Sequence, residues 1–564
     1  MSAIIFPNGS SFHSSGWRTP TIANVLDLAV ARRQVVKRLI HDFRDTMMAP
    51  VFLIAAILIV CFVLYGAMFS KHAEQSFEAA QTIVIDTFGW FYVLSATALL
   101  VFAVTIAAGR LGSIRLGGEN AAPEFGGLTW FMMLMAAGMG IGLVFFGVAE
   151  PIEHYRTPLD AEPESDGAVL ESLRYAFFHW GLHPWAIYIS IALPLAYFHF
   201  RYQLPLAPRS LLYPLIGNRI HGWTGHSVDI LATVGTLFGI GTSLGLGAMQ
   251  INAGIHRVAG LPVDLTVQIG VIAIITTIAT ISVVSGLYVG IRRLSQFNIL
   301  LGGIILLFVI INGPSIYIFE RFTTGLGAYL QHLPFQSLRI EHGKGGHWQA
   351  DWTLFYWSWW IAWSPFVGIF AARISKGRTI REFIVVMLIV PTLVGFIWFA
   401  AMGGTSLHLE HYGTGGIGEV MEQAGDGDEG SALAFYAMLG ELPFTMILSV
   451  LATLLIIIFF VTSSDSGSLV IVMITSGGHP NPPIAYRVFW CVAEGVVAAT
   501  LLLAGGLQAL RTASLIPALP MVVLLLVACF GLAKALRVDI AAEGVPDVEE
   551  LKEPVSSTES DDNT

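Results

Sequence analysis

Three stretches of this sequence put unusual residue types at spacings that suit chemistry. In FYWSWWIAWSPFVGIF (residues 355–370), Trp357, Trp359, Trp360 and Trp363 crowd one segment. With Trp348 and Trp352 just before them, six of the chain's 14 Trp fall within residues 348–363. Indole faces attract a cation, each worth about 2 kcal/mol or more once desolvated, and quaternary ammonium is the usual guest. Core packing is the plain alternative. In IIIFFVTSSDSGS (456–468), Thr462, Ser463, Ser464, Asp465, Ser466 and Ser468 form a hydroxyl cluster in an apolar run. Such hydroxyls either satisfy carbonyls of their own helix or, beside exposed carbonyls, hold a small hard cation such as sodium. In MAAGMGIGLVFFGVAEP (135–151), Gly138, Gly140 and Gly142 alternate. Glycine costs a helix about 1 kcal/mol per position against alanine. A spacing of two does not make the small-xxx-small stripe of packed membrane helices. It suits an unwound segment lining a cavity, with close helix packing as the other reading.

A fourth stretch, FFHWGLHPWAIY (177–188), adds Trp180, Trp185 and Tyr188 with His179 and His183. The histidines have the i, i+4 spacing of a metal pair, but no third ligand and no HExxH pattern accompanies them. Pro184 predicts a kink.

The elements that position these residues follow from composition. Of 564 residues, 55% are hydrophobic and only 12% charged, against about 25% charged for soluble domains. That supply cannot cover the surface of a soluble chain this long, which excludes a soluble enzyme and a disordered scaffold. A net charge of −10 gives no basic footprint for nucleic acid. Apolar runs near the ~20 residues of a membrane crossing occur at 49–70, 90–108, 128–148, 176–200, 230–253, 265–291, 298–318, 352–372, 383–402, 442–474, 488–510 and 512–533. The expectation is an all-α integral membrane protein with twelve transmembrane helices. With the N-terminus in the cytoplasm, 21 of the 29 Lys and Arg lie inside, as the positive-inside rule requires. Both termini are then cytoplasmic, and the acidic loops 149–175 and 404–441 lie outside. Residues 319–340 read as an interfacial amphipathic helix, 1–48 as a cytoplasmic arm, and 534–564 as an acidic cytoplasmic tail.

Together these motifs resemble the betaine/carnitine/choline transporter family along nearly the whole chain. The matching stretches are GMGIGLVFFGVAEPIEHY (138–155), FFHWGLHPWAIY (177–188), SLGLGAMQINAG (243–254), FYWSWWIAWSPFVGIFAARISKGRTIREFI (355–384) and FFVTSSDSGS (459–468). The resemblance implies a LeuT-type fold of two inverted five-helix repeats, 128–318 and 352–533, preceded by two peripheral helices in 49–127. It also implies a homotrimer in the cell (inner or plasma) membrane. The substrate would be a quaternary ammonium or sulfonium solute such as glycine betaine, with no cofactor and with sodium as the coupling ion. Trp180, Trp185, Tyr188, Trp357, Trp359, Trp360 and Trp363 would line the cage, and Gly138, Gly140 and Gly142 would meet the substrate carboxylate through backbone N–H groups. One sodium would use Ala136, Met139, Phe459, Thr462 and Ser463. A second would use Ala137, Thr236, Tyr188 and Phe366, with Ile240 where the sodium-coupled relatives carry threonine. Choline-selective, proton-coupled relatives tend to carry an aspartate in the glycine segment, where this chain has Gly142. A proton-coupled choline or betaine importer, or a carnitine-type exchanger, is the alternative. Glu494, alone in the eleventh run, supports it as an intramembrane carboxylate, and a hydrogen-bonded structural acid is its other reading. A membrane-embedded enzyme lacks its motifs, since neither GxSxG nor HExxH occurs.

Overall fold

The computed structural model describes residues 46–138, 140–285, 288–341, 348–424, 428–479 and 482–543. The account below concerns the unit Met48–Thr564. Residues 1–45 of the expected arm and 544–564 of the expected tail lie outside the described residues.

Apolar sequence produces helices throughout. In chain order we label Ala49–Met68 α1, Ser70–Ala108 α2, Gly127–Gly138 α3, Ile141–Arg156 α4, Asp166–Trp180 α5, Leu182–Tyr202 α6, Trp223–Ala259 α7, Leu265–Ser285 α8 and Tyr288–Asn312 α9. Ser315–Gln336 is α10, Phe355–Ile374 α11, Ile380–Tyr412 α12, Ile417–Gln423 α13, Asp428–Gly440 α14, Thr445–Thr475 α15, Ile484–Leu503 α16 and Gly506–Glu543 α17. Local chemistry sets several boundaries. Ser165 caps α5 by accepting from Ala168 N–H at 3.2 Å, and Thr379 caps α12 by accepting from Glu382 N–H at 3.1 Å, each meeting one of the orphan donors of a first turn. Gly260, at φ +71°, ends α7 in the left-handed conformation that glycine adopts freely.

Among the described residues, most of each of the twelve apolar runs is helical, and ten helical stretches are long and apolar enough to cross a membrane. The third run falls short because it is split between α3 and α4, so neither piece is long enough. The eighth, α11, is loaded with Trp, Tyr and Ser, which lowers its hydropathy. Several expected boundaries shift. The second run is the end of a 39-residue helix beginning at Ser70. The acidic segments expected as long outer loops are largely helical: 149–175 holds the end of α4 and the start of α5, and 404–441 holds the end of α12 with α13 and α14. His408 and His411, expected in a loop, lie in the last turns of α12, where Tyr155 Oη and His411 Nδ1 are 2.8 Å apart.

Burial sorts the helices. On α1, Leu53, Ile57 and Leu64 are exposed, as are Ile304, Leu307 and Ile311 on α9. Apolar faces of this kind are covered by lipid in a multi-pass membrane protein. In contrast, α11 is buried except at Phe370 and Arg373, which marks it as central. It packs along α6 and α7, and α7 packs along α15 and α17. The expected amphipathic segment forms α10, which lies on α5 and α12. Beyond its end, Arg339 grips Asp160 through both nitrogens at 2.5 and 2.7 Å, and that guanidinium holds the Asp160 carboxyl below the usual carboxylate range.

Candidate functional site

Two helices are interrupted beside α11, and both interruptions are glycine devices. The chain leaves α3 at Gly138 and re-enters helix at Ile141, with Gly140 at φ −159°, ψ −139°. Of the expected unwound segment Gly138–Gly142, Gly138 ends α3, Gly142 belongs to the first turn of α4, and Gly140 is the described residue outside both helices. Met139 lies outside the described residues, and of Ala136, Ala137 and Gly138 only the helical backbone is described. The second interruption is at Gly181, where a Cβ would lie 2.4 Å from the Phe177 carbonyl oxygen. The freed Leu182 N–H donates to Tyr329 Oη of α10 at 3.2 Å. Pro184 does not make the expected kink. It sits in the first turn of α6, where a missing N–H removes no helical bond.

The aromatic side chains converge where these breaks meet α11. Trp360 stacks on Trp359 at 4.7 Å between ring centroids and on Tyr356 at 5.8 Å. Trp180 meets the Trp360 face edge-on at 4.9 Å, and Tyr188 approaches Trp360 at 6.2 Å. Trp363 adjoins Trp359 at 5.8 Å, and its indole N–H is buried with no hydrogen-bond partner among the described residues. Trp185 reaches this group through Tyr188, at 5.6 Å. Trp357 points elsewhere: it stacks on His183 at 5.2 Å and meets Phe178 at 5.2 Å. Gly142 lies under the cluster, because a Cβ built there would sit 2.5 Å from Trp359 Cη2 and 3.1 Å from Trp180 Cη2.

Sequence reasoning missed the residue that orders this cluster. Glu150 of α4 is fully buried, and four partners surround its carboxyl. Trp180 Nε1 donates to Oε2 at 2.9 Å and Tyr356 Oη to the same oxygen at 2.6 Å. His179 Nδ1 lies 2.7 Å from Oε1 and His154 Nε2 3.3 Å from it. The signal was weak, because Glu150 lies two residues beyond the third apolar run, at the start of the acidic segment 149–175 and three residues before Glu153. His179 thus joins Glu150 and His154, with ligand atoms all within 4.8 Å of one another, rather than pairing with His183. Four hydrogen-bonding partners satisfy the carboxyl without a metal.

The geometry makes a prediction. Glu150→Ala leaves the Trp180 and Tyr356 donors buried and unpaired, at about 1–3 kcal/mol each, so half-saturation should rise about tenfold or more. Glu150→Gln should be milder. Its carbonyl can still accept from Trp180 and Tyr356, and the two imidazoles can change tautomer to accept from the amide. Equal effects of the two substitutions on concentration-dependent uptake would remove the acceptor role.

The hydroxyl cluster lies across the first break. A Cβ at Gly140 would stand 3.9 Å from Phe459 Cδ1 and 4.0 Å from Ser463 Oγ. The Thr462 hydroxyl donates within its own helix, to the carbonyls of Ile458 at 2.8 Å and Phe459 at 3.2 Å, which leaves its oxygen lone pairs as acceptors. Ser464 turns away, toward Glu494. On α7, Thr236 Oγ1 is buried with no partner among the described residues. Phe366 adjoins Trp363 at 5.9 Å, and Ile240 packs toward Gly467. Close approach is built in here: a Cβ at Gly239 would lie 3.2 Å from the Trp363 backbone nitrogen, and Trp359 Nε1 donates to the Gly239 carbonyl at 3.2 Å.

Known proteins resemble this chain over most of its length. A family model described as betaine/carnitine/choline family transporter matches residues 50–541. An uncharacterized transporter of Mycobacterium tuberculosis is 43% identical, over 89% of this chain and 84% of its own. A glycine betaine/proline/choline transporter of Vibrio parahaemolyticus is 41% identical, over 86% of this chain and 89% of its own. A probable glycine betaine transporter of Desulfitobacterium hafniense is 40% identical, over 88% of this chain and 99% of its own.

Proposed function

This chain belongs to the betaine/carnitine/choline transporter family, a family of transporters and not of enzymes, and we propose that it imports glycine betaine or a related trimethylammonium or sulfonium solute by sodium symport. The observation that carries this reading is the Trp180–Trp359–Trp360 cluster beside the break at residues 139–140. Indole faces offer cation–π attraction to the onium group. The N–H groups of Ile141 and Gly142, at the start of α4, lack intrahelical partners and suit the carboxylate of a zwitterion. The Trp363 indole N–H is a further donor on the same helix as the cage. In the present arrangement Trp180 and Trp360 lie against each other, edge to face.

The fold proposed is the LeuT type, with twelve spans counted by taking α3/α4 and α11 as crossings. Access would alternate between the two sides, with residues 139–140 as the joint and α10 at the interface. Both termini would face the cytoplasm, and three copies would assemble. Sodium would bind at the joint, against Phe459, Thr462 and Ser463, with Ala136 and Met139 completing the set. The unpartnered Thr236 hydroxyl supports a second cation near Tyr188 and Phe366, although Ile240 contributes no oxygen there.

The deciding experiment is uptake of labelled glycine betaine into proteoliposomes, with sodium and proton gradients imposed separately. Sodium alone should drive accumulation. Accumulation without sodium, abolished by a protonophore, would reverse the assignment. Thr462→Ala removes one oxygen ligand from a hard cation. It should raise the sodium concentration for half-maximal uptake several-fold, and leave substrate half-saturation at saturating sodium within about twofold. An unchanged sodium requirement would take Thr462 out of the site.

A further inference from the structure

The Glu494 carboxyl, which the cage and the sodium set leave unused, is enclosed where α7, α15 and α16 meet. It is fully buried. Ser464 Oγ donates to Oε2 at 2.9 Å, while Oε1 has no hydrogen-bond partner among the described residues. The unpartnered oxygen points at Gly467 of α15: a Cβ there would lie 2.9 Å from it and 2.6 Å from Ile240 Cδ1 of α7. One side of this oxygen is therefore a glycine and an aliphatic side chain.

The groups around it supply no compensating charge. On α15 the residue after Ser464 is the acid Asp465, which is paired with Arg487 of α16 at 3.3 Å. On α16 itself Cys491 lies one turn back, 3.5 Å from Ser464 Oγ. From α8 come the hydroxyls of Thr276, against Gly495, and Thr280, which donates to Cys491 Sγ at 3.6 Å. From α7 come Ile240 and Gly241. Also packed on α16 are α1 and α17, whose ionisable side chains are in no hydrogen bond or ion pair with Glu494 among the described residues. An ionised carboxylate with one donor and a neighbouring acid is far more expensive in such a place than a neutral carboxyl.

We propose that Glu494 is a proton-binding site of the transport cycle: it holds a proton while α7, α15 and α16 are closed on it, as here, and exchanges that proton with water when they part. No bond other than O–H forms or breaks, and the proton passes between water and Oε1. The inference rests on the chain being a solute transporter. It does not depend on sodium, since sodium and pH are varied independently in its test.

The test is substrate uptake by proteoliposomes at fixed saturating sodium, from about pH 6 to about pH 9, with entrapped pyranine reporting proton movement. Wild-type uptake should fall at least several-fold as pH rises, because the closed arrangement requires the protonated acid, and substrate addition should move protons. Glu494→Gln imitates the neutral acid permanently. It should keep uptake, flatten the pH profile and abolish the substrate-linked proton signal. A flat wild-type profile without proton movement, or a Glu494→Gln variant with the wild-type profile, would make Glu494 a structural acid and overturn the proposal. If Glu494→Gln does not reach the membrane, Glu494→Asp is read instead: a shifted profile supports the proposal and an unshifted one overturns it. Absence of wild-type uptake at every pH would instead refute the transporter reading on which both rest.

Discussion

Replacing Trp360 by leucine should raise the half-saturating substrate concentration by up to about thirtyfold, with the protein still in the membrane; a desolvated cation–π partner is worth about 2 kcal/mol, and each 1.4 kcal/mol is tenfold. Trp360 meets rings from three helices: it is stacked on Trp359 and Tyr356 of its own helix and met edge-on by Trp180 of α5 and Tyr188 of α6. Leucine keeps an apolar side chain on the same helix and removes the π face, together with the indole N–H that donates to the His179 carbonyl at 3.3 Å. If the stripe were core packing alone, the substitution would lower the amount of folded protein and leave half-saturation unchanged. Trp357→Leu is the internal control. Its ring lies on His183 and Phe178, away from Trp360, so its effect on half-saturation should be well below that of Trp360→Leu. Equal effects of the two would show that position relative to the cluster does not matter.

A single added methyl at Gly142 should be nearly as costly. The Cβ of Gly142→Ala would stand 2.5 Å from Trp359 Cη2 and 3.1 Å from Trp180 Cη2. Two indoles held by hydrogen bonds, to the Gly239 carbonyl and to Glu150, cannot both swing clear. Overpacking of this kind costs about 1–3 kcal/mol, so uptake at low substrate should drop about tenfold or more. Gly270 of α8 has nothing within 4 Å of its Cβ position, and Gly270→Ala should leave transport near wild type. Full uptake by Gly142→Ala would mean that the indoles are looser than their bonding implies.

The parts of this site legible in the sequence were those whose residue types are unusual for a membrane helix. Alternating glycines placed the first break to within two residues, and six clustered tryptophans marked α11, because neither pattern is cheap without a use. The ten helices long and apolar enough to cross a membrane were legible from run length, since bilayer thickness sets it. The rest depends on which helix faces which. Nothing local tells that Trp357 turns toward His183 while Trp360 turns toward Trp180, since three residues on a helix leave the facing partner undetermined. Gly181 was overshadowed by Pro184, although a proline in a first turn disturbs nothing and the glycine does. Glu150 was read as part of a family motif rather than as the acceptor for an indole, a phenol and two imidazoles drawn from three helices. The absence of an anion at Gly142 was accordingly an incomplete guide to charge near the cage, because a carboxyl stands directly behind Trp180.

The Glu150 carboxyl also bears on how the molecule can move. It ties α4 to the last turn of α5 through His179 and Trp180, and to α11 through Tyr356. These three segments are fastened by short bonds that would have to be broken, in a place without water, for one to slide past another. The interruption between Gly138 and Ile141 leaves α3 outside the fastening. If access alternates as proposed, the change would be cheapest as a swivel between α3 and α4, with the latched segments turning as one piece and carrying the aromatic faces along unseparated from their scaffold.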